Sequence, residues 1–303
     1  MSVRVEGGAT TRPATLRRQA VVRRLDDPGK VRAILQSAPA YSAYAIAYLD
    51  RRFFHLAEFY DAAAGDRRAL VMHARGGLGP TTLTMGDAGL VATLLDLHPG
   101  PRQSFMTIEP EHIDNLLGGY NLWRPQSMVR MQLDAAAFAP PAAVEQVRRL
   151  VEADAADLNR LYAIEEDGLR YSGRQVVEGV YYGAHNRGRL VAAAGTHIFS
   201  SREGVGVIGN VFTHPDFRGR GFGSAVTAAV ATHLLKTCDL IVLNVDPANR
   251  TARHIYDNLG FKDTGRLVEA MATRRNSASP LPFIRRTLAR WRSQSPQTEV
   301  VEL

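Results

Sequence analysis

The sequence predicts an α/β chain built on a mixed sheet, and three stretches carry that expectation. From Val205 to Thr213 apolar and small residues alternate, as in a half-buried strand. A glycine-rich loop follows, then helical spacing at Phe222, Ala225, Val226, Ala229, Val230 and Leu234. Leu240–Val245 is apolar on both faces, the mark of a buried parallel strand. Strand, helix and strand together make a βαβ unit.

Earlier elements read less sharply. Asp26-Asp27-Pro28 is a helix start, with spacing continued at Val31, Ile34 and Leu35. Pro39 breaks it, and a second helix is expected from Tyr41 to Leu49. Phe53–Tyr60 and Arg67–Arg75 pair as strands, with glycines turning into a third near Thr81–Met85. Asp87 caps a helix to Leu97, and Phe105–Ile108, Pro110–Leu117 and Met128–Leu133 give strand, helix, strand. The alanine- and proline-rich run Ala135–Ala143 carries no periodicity and reads as a linker. Beyond it come a strand at Val147–Val151, a helix capped by Asp154, and a second helix from Ser172 to Glu178. Val180–His185 and Leu190–Phe199 form a hairpin through Asn186-Arg187-Gly188. Gly260 ends the helix that starts at Asn249, and Phe261–Arg274 supplies the last strands. The expected division is 1–138, a linker at 139–146, a second domain at 147–275 and a basic tail at 276–303. Within the tail, Leu281–Arg292 has the spacing of a short basic amphipathic helix.

At 45% apolar and 22% charged residues, the composition is that of an ordinary globular protein. The lone cysteine, Cys238, excludes an internal disulfide framework and a thiolate metal cage. No His/Cys/Asp/Glu cluster has metal-ligand spacing, so no metal is expected. The net charge of +7 is almost all arginine, since lysine occurs only at Lys30, Lys236 and Lys262. Scattered arginines without interleaved aromatics argue against nucleic acid, and an anionic small molecule suffices to explain the charge. No run is long enough to span a membrane, and the Arg-rich first residues lack a signal core, so a cytoplasmic location is expected.

Pro215 stops the strand at Thr213, and Arg218-Gly219-Arg220-Gly221-Phe222-Gly223 leads into the helix. Alternating glycines let main-chain N–H groups converge at the positive end of the helix dipole, which makes a phosphate seat. The dinucleotide fingerprint and the Walker pattern both have other spacings. What matches is [Arg/Gln]-x-x-Gly-x-[Gly/Ala], at Arg218, Gly221 and Gly223. The run Asn249-x-x-Ala-x-x-x-Tyr-x-x-x-Gly-Phe261 follows at the right distance. Together they resemble the acyl-CoA site of the GNAT superfamily of N-acyltransferases. The strand around Ile208-Gly-Asn-Val211 is also similar to the glycine N-acyltransferase branch. The resemblance implies a GNAT fold in the C-terminal half. The first half has nearly the same element order but no such signature, with Thr84–Gly89 as its nearest remnant, and reads as a degenerate GNAT-like half without a cofactor of its own.

What the resemblance implies for the site is specific. Val211, Phe212 and Thr213 would grip the pantetheine arm and supply an oxyanion donor. Arg218, Gly219, Arg220, Gly221, Phe222, Gly223 and Ser224 would hold the pyrophosphate. Asn249 would stand near the thiol, and Tyr256 would protonate the departing thiolate. Asn244, the polar residue of an apolar strand, reads either as a cofactor or acceptor contact or as a structural amide. For the base, Asn210 stands where an acid might be sought, leaving His197, Glu178, Glu203 or a water chain. His214 reads as a turn residue. The implied activity is transfer of an acyl group, most simply acetyl, from acetyl-CoA to a small primary amine, with a homodimer left open. A CoA-binding module without turnover and a protein N-terminal or lysine acetyltransferase are the alternatives.

Overall fold

A computed structural model describes residues 19–76, 79–141, 146–165, 170–275 and 298–302. In chain order the first half runs β1 (Gln19–Leu25), α1 (Pro28–Leu35), α2 (Ala43–Ala47), β2 (Ala57–Ala64), β3 (Arg67–Gly76), β4 (Gly79–Gly86), α3 (Ala88–Leu97), β5 (Gln103–Ile108), α4 (Ile113–Leu116) and β6 (Tyr120–Leu133). The second half repeats that order as β7 (Val147–Arg149), α5 (Ala155–Tyr162), α6 (Gly173–Glu178), β8 (Tyr182–Asn186), β9 (Arg189–Ser200), β10 (Val205–Thr213), α7 (Phe222–Leu234), β11 (Leu240–Val245), α8 (Arg250–Asn258) and β12 (Phe261–Arg274). A closing strand, β13 (Thr298–Glu302), pairs antiparallel with β1.

The strands form one sheet, ordered β13-β1-β2-β3-β4-β5-β12-β6-β11-β10-β9-β8-β7. Each half therefore lends its last long strand to the other. β6 lies against β11, with Asn244 opposite Arg130, while β12 lies against β5, with Val268 opposite Ile108. The two lent strands pair with each other at the centre, Leu267 opposite Met128. Strand alternation then sorts the residues to two faces. Val129, Met131 and Leu133 join Ile208, Ile241 and Leu243 under α7, whose Val226, Val230 and Leu234 are fully buried. Each such side chain contributes roughly 1.5–3 kcal/mol. On the opposite face Val205, Val207 and Val242 pack beneath Val31, Leu35 and Ile46 of the first half's α1 and α2.

Polar clamps fasten that cross-half packing. Arg32 pairs with Glu203, and the buried Ser200 hydroxyl donates to Asp50 at 2.6 Å. Arg52 holds the Asp50 carboxyl well below the ordinary carboxylate range, outweighing burial, with Ser200 and the Arg52 N–H assisting. Asp50 therefore contributes stability in full above the unfolded carboxylate pKa, and loses it as pH falls towards the depressed folded value. Ser200→Ala is expected to cost about 2 kcal/mol at neutral pH, read by urea denaturation.

Several boundaries differ from the sequence expectation, each for a local reason. β1 precedes the helix pair, because Arg23 and Arg24 obscured the alternation of buried Ala20 and Val22. β6 begins at Tyr120, well before Met128, because Pro125 and a left-handed Arg124 (φ 46°) interrupt its pattern. β2 starts at Ala57, after a short 3-10 turn at Phe54–Leu56. Residues 261–274 form one long strand rather than several. The Arg-rich residues 1–18 and the basic stretch Leu281–Arg292 lie outside the described residues. Among the described residues no helix is long and apolar enough to cross a membrane, and none of the His, Cys, Asp and Glu residues cluster as a metal site.

Candidate active site

β10 and β11 run parallel from Val205 opposite Leu240 to Ile208 opposite Leu243, and there the pairing stops. The cause is a bulge. Between Gly209 and Phe212 the register with β9 shifts, and Asn210 adopts a left-handed φ of 54°. Two contacts hold that conformation: the Tyr162 hydroxyl donates to the Asn210 carbonyl at 2.6 Å, and the Asn210 amide donates to the Tyr181 hydroxyl at 3.1 Å. Past the bulge the strands part, and a cleft of about 920 Å³ opens between them.

The mouth of the cleft is the glycine loop. Gly219 and Gly221 have φ of 74° and 80°, and a Cβ on either would meet no atom within 4 Å. The space above this backbone is open. Gly221 is the N-cap of α7 and offers no side chain to the helix N–H groups. The first intrahelical bond is Ala225 N–H to the Gly221 carbonyl, so the preceding amides remain available. That is a fit for a diphosphate, with the dipole of a 13-residue helix behind it. The first half differs at the corresponding point. There Asp87 caps α3 with its own carboxylate, which accepts the Leu90 N–H at 3.0 Å. An internal anion already fills the seat.

Val211, Phe212 and Thr213 line the cleft, as do Arg218, Gly219, Gly221, Phe222, Gly223, Ser224, Asn244, Asn249 and Tyr256. Arg220 is not brought to it; its guanidinium lies 5.2 Å from the Phe217 ring centre. Arg218 bonds the Thr213 carbonyl at 3.2 Å and pairs with Glu165 across the mouth. Asn249 uses its side-chain oxygen to cap α8 at Ala252 N–H. Burial pushes the Tyr256 phenol up to about 12, so it stays protonated at neutral pH.

The inner end of the cleft holds Glu269, a residue the sequence reading passed over. Its carboxylate accepts a 2.5 Å hydrogen bond from the Asn244 amide, and burial raises its pKa against the opposing pull of Arg130 and Asn244. Glu269 was findable: it is the acid of the otherwise apolar run Leu267-Val-Glu-Ala-Met-Ala272. The base candidates named from sequence stand differently. His197 lines the cleft, but burial and Arg130 push its imidazole down to about 4. Glu178 pairs with Arg174 at 2.6 Å on the surface of α6, and Glu203 with Arg32. His214 sits in the turn, bonded by Arg189 at 2.8 Å.

Residues 181–271 match the model of the family described as FR47-like protein. Over 86 residues the chain is 37% identical to mycothiol acetyltransferase from Thermobispora bispora, covering 27% of this chain and 29% of that protein. The matched region of the second half is therefore similar to GNAT-type acetyltransferases. Its solved likenesses extend over most of the chain. A Drosophila melanogaster protein aligns with a TM-score of 0.61 at 14% identity, covering 82% of this chain and 98% of that one. A GCN5-related N-acetyltransferase from Sphaerobacter thermophilus aligns at 0.51 and 17%, covering 84% and 95%. At such identities the likeness is one of fold. In the second half this fold brings the parted strands and the helix N-terminus to one place, and the chain spans under a third of the curated relative it matches.

Proposed function

We propose that the chain is an acyl-CoA-dependent N-acyltransferase, most simply an N-acetyltransferase, acting on a small primary amine in a ternary complex. The observation that supports this best is the parting of β10 and β11 directly below an uncapped helix N-terminus. The seat suits a pyrophosphate, and the parted strands suit the narrow arm that carries a thioester. When bound, acyl-CoA supplies an activated carbonyl. The main-chain amides of Phe222, Gly223 and Ser224 would hold the pyrophosphate, and the Val211 N–H, inside the bulged segment, would receive the carbonyl oxygen as it gains charge. Tyr256 hands its phenolic proton to the departing sulfur. Held beside the acceptor, the thioester reacts in an effectively unimolecular step.

Isothermal calorimetry with CoA tests the seat. The wild type is expected to bind, and Gly221→Val to lose at least about tenfold, because a β-branched residue is strained at φ 80° and fills the open space. Release of thiol from acetyl-CoA with an amine panel then separates an enzyme from a CoA-binding module. Binding of a nucleoside triphosphate in place of CoA would overturn the reading.

A further inference from the structure

On the acyltransferase reading above, we propose that Glu269 is the catalytic base that takes the proton from the acceptor ammonium, positioned by Asn244 and by the buried guanidinium of Arg130. The geometry comes from the strand exchange. Arg130 lies on β6 of the first half, directly opposite Asn244 on β11 and opposite Gly265 on β12, so the three central strands deliver Arg130, Asn244 and Glu269 to one face. Arg130 is 1% exposed, and none of its three side-chain nitrogens has a hydrogen-bond partner among the described residues. A guanidinium buried without partners is costly unless an anion compensates it. Glu269 is the carboxylate that can compensate it, while the phenols of Tyr41 and Tyr44 beside it are kept protonated by burial. The Asn244 side-chain oxygen is likewise buried without a partner, which fixes the amide by its bond to Glu269 alone.

The groups facing Glu269 are Arg130 from β6, Asn244 from β11 and Tyr44 from α2, with His197 of β9 lining the same cleft. Tyr44 and His197 lie ring to ring at 6.1 Å. His197 is neutral and a weak base at its lowered pKa, whereas burial strengthens Glu269 as a base. Arg130 and Asn244 oppose that rise. The proton balance closes. Glu269 takes one proton from the ammonium, and the freed lone pair attacks the thioester carbon to form the C–N bond. Collapse breaks the C–S bond, and the thiolate takes the Tyr256 proton. The second proton shed by nitrogen restores Tyr256, and Glu269 releases its proton to solvent.

The test uses the full chain, acetyl-CoA, and glycinamide, benzylamine and hydroxylamine as acceptors. Glu269→Gln keeps an acceptor for Asn244 and is expected to lower kcat about 100-fold or more with unchanged CoA affinity. The loss should shrink for hydroxylamine, which is already neutral at assay pH. Arg130→Met should move the acid limb of the kcat/KM profile up by roughly one pH unit, and Arg130→Lys should restore it. Independent of any acceptor, the ¹³C carboxylate signal absent from Glu269→Gln should titrate above the usual glutamate range. Full turnover in Glu269→Gln, equal losses for all three amines, or an ordinary titration overturns the proposal. Failure of the wild type to bind CoA would instead strike the acyltransferase reading itself.

Discussion

Tyr256→Phe is expected to lower acetyl transfer about 100-fold while leaving CoA affinity and stability almost unchanged. The phenol is 6% exposed, lines the cleft, and has no hydrogen-bond partner among the described residues, so removing its oxygen orphans nothing. Its ring packs against Phe261 with centroids 6.0 Å apart, and phenylalanine keeps that contact. On the proposed mechanism, what would be lost is the proton donor to the leaving sulfur. The same burial that lifts the phenol to about 12 also disfavours a thiolate, which narrows the gap between donor and acceptor. Single-turnover kinetics should show a slowed chemical step, and an acyl donor with a more acidic thiol should recover part of the rate. Undiminished turnover would remove Tyr256 from the mechanism.

Gly195→Ala is expected to destabilise the fold by about 3 kcal/mol, near the upper end for overpacking. Gly195 and Gly209 face each other across β9 and β10, and an aromatic ring covers each. A Cβ on Gly195 would lie 2.2 Å from Tyr181 Cε1 and 2.3 Å from its Cδ1. Tyr181 cannot retreat: it is 2% exposed, packed edge-on against Tyr171, and bonded by the Asn210 that makes the bulge. CoA affinity should therefore fall together with the denaturation midpoint. Gly209→Ala meets His197 Nε2 at 1.9 Å, but that imidazole lines the cleft and can shift into it. Its stability loss should be the smaller of the two. Equal stability for Gly195→Ala and the wild type would refute the claim that Tyr181 is locked.

The glycine loop and its helix were legible because they are local: φ, capping and spacing are all written within a dozen residues. The paired order of elements in the two halves was nearly legible as well, save for β1. Strand exchange was not. Nothing in Met128–Leu133 or Phe261–Arg274 says that each will sit beside the other half's fifth strand, since pairing partners are chosen over more than a hundred residues. Glu269 was missed for the same reason. A polar residue in an apolar strand was noticed at Asn244, but its partner came from β12, and only the tertiary structure joins them. Arg130 looked like one arginine among many, and its burial depends on α2 and β12 arriving above and beside it.

The exchanged strands also set a timetable for biosynthesis. β6 ends at Leu133, yet its neighbours β11 and β12 begin at Leu240 and Phe261. While the ribosome supplies the intervening chain, β5 and β6 each present a bare hydrogen-bonding edge. Arg130 waits in solvent through that interval and becomes enclosed only when both late strands dock. The nascent first half is therefore an unfinished template rather than a folded unit. The step that completes the sheet is the same one that brings Arg130, Asn244 and Glu269 to one face.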